Sequence, residues 1–298
     1  MALVMALAAC QKEQEKMDVI VGGEVDMVVN VNVPNNTRAG SEKGIFESGI
    51  LNGDATMRYT LQVFYTDENN KTHKTEPQRK YDDSNSVAFD VRLTPNRDYT
   101  FVVWADVVDS IGAGDKHYTT TDLTNITVNT DTWCAMDETR DAFTAKLLVE
   151  DFTSSSIINL NLHRPNAKLR VKATDITATT TMPSSAKVTY TTQHRTAFNA
   201  YTGTPADADA SATEVVHEYE IANIYNESDT ERTLFSDYFF ASEDGEKVTF
   251  EIELKNGNNT MKSLEFSDIS IKPNHLTTIE GNMLSSDNVD NTSSVTEN

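Results

Sequence analysis

Apolar and polar residues alternate along most of this chain with a period of two. In Met57–Val63 and again in 87–93, every second residue is apolar. Successive side chains of a β-strand point to opposite faces of a sheet, so the pattern predicts strands with one buried and one solvated face. Short runs of this kind, separated by Asn, Asp, Gly, Ser and Pro, predict an all-β fold of the sandwich type. The predicted strands are 25–33, 57–63, 87–93, 99–105, 123–128, 158–162, 169–173, 188–190, 215–224, 248–254 and 264–271.

Two of these runs are separated only by a turn-forming segment. Thr94-Pro95-Asn96-Arg97 follows strand 87–93, with a proline that fixes φ and an asparagine that tolerates a left-handed backbone. We therefore expect a hairpin-like pair of strands 87–93 and 99–105. The second strand is apolar on both faces, which predicts a central position in its sheet and a core role for Trp104.

The length of 298 residues is comfortable for two hydrophobic cores. Pro165 lies between two predicted strands, and proline cannot donate to a strand ladder. We therefore expect two β-sandwich domains, at 25–163 and 164–284. The remaining residues, 285–298, are mostly polar and predict a flexible tail.

The charge of the chain excludes one class of partner. With 25 Lys and Arg against 46 Asp and Glu, the formal net charge is −21. Such a protein is repelled by nucleic acid phosphates, so no nucleic acid partner is expected. The only cysteines are Cys10 and Cys134, and no disulfide is expected if the first of them is modified.

The first ten residues, MALVMALAAC, form a short apolar run that ends in small residues and Cys10. This length is below the roughly 20 residues that span a bilayer and is typical of a secretion signal. The ending resembles a bacterial lipoprotein signal, which implies cleavage before Cys10 and acylation of its thiol. Residues 1–24 would then be a lipoprotein signal peptide and linker. The alternative is a buried N-terminal strand or helical turn.

Catalytic chemistry has little support in the sequence. The six histidines are scattered, no metal-binding spacing or nucleophile motif occurs, and acidic pairs lie in turn-like segments. We therefore expect no catalytic residue, metal or cofactor, and no enzyme. Of the two tryptophans, Trp133 lies in a turn-like segment and is the better candidate for stacking on a surface ligand such as a sugar.

Four segments together resemble a known family. They are Cys10, the strand 25–33 with the following Pro34 and 37–39, the segment 93–106, and the pair 164–170 and 272–279. In this order and spacing they are similar to the fimbrillin-like proteins of Bacteroidales, the type V pilin superfamily. The resemblance implies two tandem transthyretin-like β-sandwich domains. It also implies a lipoprotein of the cell outer membrane, exposed at the surface, and assembly into a fimbrium by donor-strand exchange.

The resemblance also implies a processing site. Pilins of this family are cut after an arginine near the first strand, and here Arg38 is followed by Ala39 in a polar segment. Cleavage there would release strand 25–33 and open a groove for another subunit. The alternative is that Arg38 is an ordinary solvated loop residue. The C-terminal tail offers only Met283, Leu284, Val289 and Val295, without a period of two, so it is a poor donor strand for a pilus shaft.

The sequence therefore predicts a structural or adhesive surface protein. Its expected partners are other pilin subunits or ligands on host or bacterial surfaces, with the outer membrane reached through a lipid anchor. The alternative is a surface lipoprotein that does not polymerise and that binds glycan or protein ligands. A hydrolase built on a β-sandwich is a third, weaker hypothesis.

Overall fold

The computed structural model describes residues 23–34, 45, 51, 54–192, 194–206, 215–222, 227–285 and, for the backbone, 294–297. Over these residues the chain is almost entirely β, with two short 3-10 helices at Thr130–Thr132 and Glu138–Arg140. The predicted all-β sandwich class is confirmed. Within the described part of the chain, no helix has the length and hydrophobicity that crossing a membrane requires.

The strands form five sheets. In chain order they are β1 (Val25–Asn32), β2 (Thr56–Thr66), β3 (Thr72–Lys74), β4 (Gln78–Tyr81), β5 (Ser86–Leu93), β6 (Arg97–Val108), β7 (Tyr118–Thr119), β8 (Ile126–Val128), β9 (Ala142–Phe152), β10 (Ser156–Asn161), β11 (Asn166–Ala173), β12 (Ser185–Tyr190), β13 (Ala197–Asn199), β14 (Thr204–Pro205), β15 (Val215–Glu220), β16 (Arg232–Phe240), β17 (Glu246–Asn256), β18 (Asn259–Ile271), β19 (Leu276–Gly281) and β20 (Ser294–Glu297).

The first half of the chain is a sandwich of two sheets. Sheet I has the order β10-β1-β5, and sheet II has the order β3-β2-β6-β9, with β4 also paired to β2. Alternate residues of both sheets meet in one core, for example Val29 and Phe89 from sheet I and Leu61 and Phe101 from sheet II. The period-two pattern of the sequence is therefore the pattern of burial on the inner faces.

The second half has the same plan, with a core of its own. Sheet IV has the order β16-β11-β19-β20, and sheet V has the order β15-β12-β17-β18. Val171 and Phe235 from sheet IV pack with Val188 and Phe250 from sheet V.

A small sheet joins the two halves. Sheet III has the order β14-β13-β8-β7, so it takes β7 and β8 from the first half and β13 and β14 from the second. It covers the outer face of sheet II, where the ring of Trp104 lies 5.3 Å from that of Tyr118 and 6.1 Å from that of Phe198. Trp104 is fully buried, and both faces of β6 are covered, as the sequence predicts.

The predicted hairpin of strands 87–93 and 99–105 is wrong. β5 pairs with β1 in sheet I, whereas β6 pairs with β2 and β9 in sheet II. The turn itself forms, and Asn96 has the expected positive φ of 61°. The hydroxyl of Tyr99 donates to the carbonyl of Thr94 at 2.9 Å and accepts from its N–H at 3.1 Å. This contact holds a corner that carries the chain from one sheet to the other, so the two strands face each other instead of pairing.

The division into domains at residues 163 and 164 stays a prediction. Each half has its own core, and sheet III connects them. In the predicted flexible tail, the backbone of Ser294–Glu297 forms β20, which pairs with the edge of β19.

Candidate functional site

The first strand among the described residues, β1, occupies the centre of sheet I. β1 runs parallel to β10, with Val29 opposite Ile158, and antiparallel to β5, with Val29 opposite Phe89. Among the described residues, β5 and β10 have no other strand neighbour. β1 is therefore the element that holds the sheet together, and its ladder hydrogen bonds connect two strands that are otherwise separate.

The inner face of β1 is deeply buried. Met27, Val29 and Val31 of β1, and Val33 directly after it, are each at most 1% exposed. Burial of one such side chain contributes about 1.5–3 kcal/mol, so the four together contribute about 6–12 kcal/mol. Removing β1 from the sheet would therefore be costly, because these side chains would become exposed to water.

The outer face of β1 carries a polar ladder. Asn30 donates to the side-chain oxygen of Asn159 at 3.0 Å, and Asn32 donates to that of Asn161 at 3.5 Å. These pairs are solvent-exposed, and cross-strand pairs of this kind contribute about 0.2–1 kcal/mol each. The affinity of the groove for a strand therefore comes mainly from its inner face.

The expected processing and lipidation residues lie outside the described residues. Cys10 falls in 1–22, and Arg38 and Ala39 fall in 35–44, so their assignments stay predictions. The structure describes what flanks residues 35–44. β1 ends at Asn32, and Ile45 is buried in the core of the first half.

The end of the chain is fixed to the second half at two places. The carboxylate of Asp175 accepts the backbone N–H groups of Met283 at 3.1 Å, Leu284 at 2.9 Å and Ser285 at 2.6 Å. Burial opposes ionisation of this carboxyl, but the backbone donors outweigh it and lower its pKa below the ordinary value. The second place lies further along the chain, where β20 pairs with β19.

The alternation in the sequence predicts strand 25–33, but it does not predict the asparagine pairs on the outer face of β1. The motif Asn-x-Asn occurs at 30–32 in β1 and again at 159–161 in β10. In a parallel pair, equal spacing places both asparagines of one strand beside those of the other. This repeated motif is the signal that could have indicated the pairing of β1 with β10.

A family model matches residues 17–297, described as a family of unknown function, DUF6562. The chain belongs to this family. No curated protein matches it.

Several solved structures are similar to the chain. A candidate cell adhesion protein from Bacteroides ovatus has a TM-score of 0.50 and 16% identity, over 92% of this chain and 96% of that one. The fimbrial anchor protein Mfa2 from Porphyromonas gingivalis has a TM-score of 0.43 and 14% identity, over 91% and 95% of the two chains. A fimbrial assembly protein from Parabacteroides distasonis has a TM-score of 0.45 and 10% identity, over 92% and 99%.

These identities support a shared fold and no more. At that level, the resemblance to fimbrillin-like proteins of Bacteroidales drawn from the sequence is confirmed.

Proposed function

We propose that this protein is a structural or adhesive component of a bacterial fimbrium, and that β1 is a segment exchanged for the strand of another subunit. The observation that carries the proposal is the position of β1. Among the described residues it is the first strand, it lies between two strands that have no other partner, and its inner face fills the core. The fimbrial and adhesion proteins among the similar structures support the same role.

The exchange would begin with a cut between Arg38 and Ala39. The cut removes the covalent link between β1 and the rest of the sandwich, while the buried side chains keep β1 in place. A second strand with apolar residues at alternate positions then replaces the same hydrogen bonds and fills the same positions. Because the incoming strand replaces the hydrogen bonds and the buried apolar surface that are lost, the exchange needs no large driving force.

We propose that this subunit accepts a strand and does not donate one. Four apolar residues in the C-terminal region could have served a donor strand, and three of them are already used. Met283 is buried in the core of the second half, Leu284 packs against it, and Val295 pairs with Ile279 in sheet IV, which leaves Val289. Such a subunit suits the tip of a fimbrium more than its shaft.

Lipid attachment at Cys10 belongs to the same proposal. An acyl-modified N-terminus would hold the unprocessed protein on the outer membrane, and the cut after Arg38 would separate the sandwich from that anchor. The partners would be other fimbrial subunits or ligands on neighbouring surfaces.

Digestion with an Arg-specific protease, followed by exposure to a labelled peptide of residues 25–33, tests the exchange. We expect cleavage after Arg38, measured by intact mass, and then capture of the peptide in place of the native strand. The uncleaved variant R38Q should capture none. A control peptide with asparagine at the positions of Val29 and Val31 should also fail. Resistance of Arg38 to cleavage, or cleavage without capture, would contradict the proposal and favour a lipoprotein that does not polymerise.

A further inference from the structure

A cavity with a volume of about 90 Å3 lies where the two halves meet, behind sheet III. We call it the seam cavity. The residues that matter for its chemistry come from both halves and are Trp133, Arg140, Tyr190, His194, His217 and Asp237.

The charged groups of the seam cavity are satisfied by one another. Arg140 donates to one carboxylate oxygen of Asp237, and the hydroxyl of Tyr190 donates to the other at 2.6 Å. The backbone N–H of Tyr238 adds a third donor at 2.7 Å. Both charged side chains are almost fully buried. A ligand ion would therefore find no free opposite charge in this pair.

Neutral hydrogen-bonding groups remain available in the cavity. The Nε2 atom of His194 is buried and has no hydrogen-bond partner among the described residues. A buried polar atom without a partner costs about 1–3 kcal/mol, so a ligand that supplies one is favoured. Burial is the main cause that lowers the pKa of His194 and of His217 to about 4, and Arg140 adds to it. At neutral pH both rings are uncharged, and each offers one donor and one acceptor.

Aromatic rings form the apolar part of the lining. The imidazole of His217 stacks on Trp133 with ring centroids 3.4 Å apart. The ring of Tyr190 lies 4.4 Å from that of His194 and 5.6 Å from that of Phe239. The cavity therefore combines apolar ring surfaces with neutral donors and acceptors.

We propose that the seam cavity is a binding site for a neutral sugar ring. A pyranose has C–H faces that pack on aromatic rings and hydroxyl groups that both donate and accept, which is what the imidazoles require. A purely apolar ligand would leave His194 unsatisfied, and an anion would find the two arginines of the lining, Arg140 and Arg195, already paired with Asp237 and Glu246. This proposal does not depend on strand exchange, because the cavity shares no residue with the groove of β1.

Intrinsic fluorescence offers a direct test, because Trp133 lines the cavity and the other tryptophan, Trp104, is fully buried behind that lining. Any change on titration with a neutral sugar reports on the cavity, through Trp133 directly or through Trp104, which packs against Tyr118 and Phe240 of the lining. Suitable probes are glucose, galactose, N-acetylglucosamine and fucose, with glucuronate and acetate as anionic probes. We expect saturable quenching by at least one neutral sugar, confirmed by calorimetry, and none by the anions.

The variant H194F keeps a ring beside Tyr190 and removes the nitrogen. It should weaken sugar binding about tenfold, which corresponds to about 1.4 kcal/mol. The control H73F replaces a ring that stacks on Tyr65 in the first half, and it should leave binding unchanged. Absence of binding by every neutral sugar, binding of the anions alone, or equal binding by H194F and the folded wild type would overturn the proposal.

Discussion

At the scale of single residues, a carboxylate and a set of amides hold segments near both ends of the described chain. Asp175 gathers three backbone N–H groups just before the C-terminal segment, and Asn30 and Asn32 pair along the outside of the first strand. The two kinds of contact differ in strength. A carboxylate that accepts several backbone donors holds its segment firmly, whereas exposed amide pairs mainly set register.

Replacing the carboxylate of Asp175 should weaken the attachment of the C-terminal segment. We expect D175N to lower the free energy of unfolding by about 1–3 kcal/mol, because the hydrogen bonds lose a charged acceptor. The measurement is urea denaturation at neutral pH. The matched control D244N changes an exposed acid in a turn and should have little effect.

The lowered pKa of Asp175 predicts how its contribution to stability changes with pH. The folded pKa of Asp175 is lowered, so its contribution is present above its unfolded pKa of about 3.9 and is lost as the pH falls through the folded pKa. The difference in stability between wild type and D175N should therefore shrink in acid. A difference that is constant from neutral pH to below pH 3, or that grows in acid, would contradict this assignment.

At the scale of elements, the two faces of β1 have opposite roles. Its inner side chains fill the core, and its outer side chains meet solvent and the asparagines of β10. The strand could be predicted from the sequence because it is buried on one face only. Periodicity does not identify its neighbours, since Asn30 pairs with a residue 129 positions away, and only the repeated Asn-x-Asn motif at 30–32 and 159–161 points to β10.

Other elements were missed for a different reason. β16 is buried on both faces for almost its whole length, so its sequence RTLFSDYFF does not alternate. A strand covered on both sides reads as a continuous apolar run and gives no period-two pattern. The cavity lined by Asp237 of this strand was beyond sequence reasoning for the same reason, although Trp133 had been singled out.

A pair of adjacent substitutions in β1 separates its two faces. V29N places an amide in the core and should lower the free energy of unfolding by about 3 kcal/mol. V28N, one residue away on the outer face, should change it by less than about 0.5 kcal/mol. Chemical denaturation of both variants gives the comparison. Equal effects would show that β1 is not seated with the burial described.

At the scale of the whole molecule, the two halves are joined by buried ion pairs as well as by sheet III. Lys168 contacts Glu138 at 2.7 Å, and Arg164 contacts Asp141 at 2.7 Å. Together with the pair of Arg140 and Asp237, these pairs connect the segment between β8 and β9 to the second half. The two halves therefore share buried charged contacts as well as a sheet.

Removing one partner of a buried pair should be costlier than removing both. R164M leaves Asp141 uncompensated and should lower the free energy of unfolding by about 3–5 kcal/mol. The double variant R164M/D141N should recover part of that loss. The measurement is thermal and urea denaturation of the wild type, R164M and R164M/D141N. A double variant less stable than R164M would contradict the prediction.

The most direct test of the central claim is the intact mass and N-terminal sequence of the protein recovered from the cell surface. The account predicts a mature chain that begins at Ala39, lacks residues 25–33 and is associated with a strand of another subunit. A chain that keeps an acylated Cys10 and an intact β1 would contradict it and would leave a surface lipoprotein that does not exchange strands.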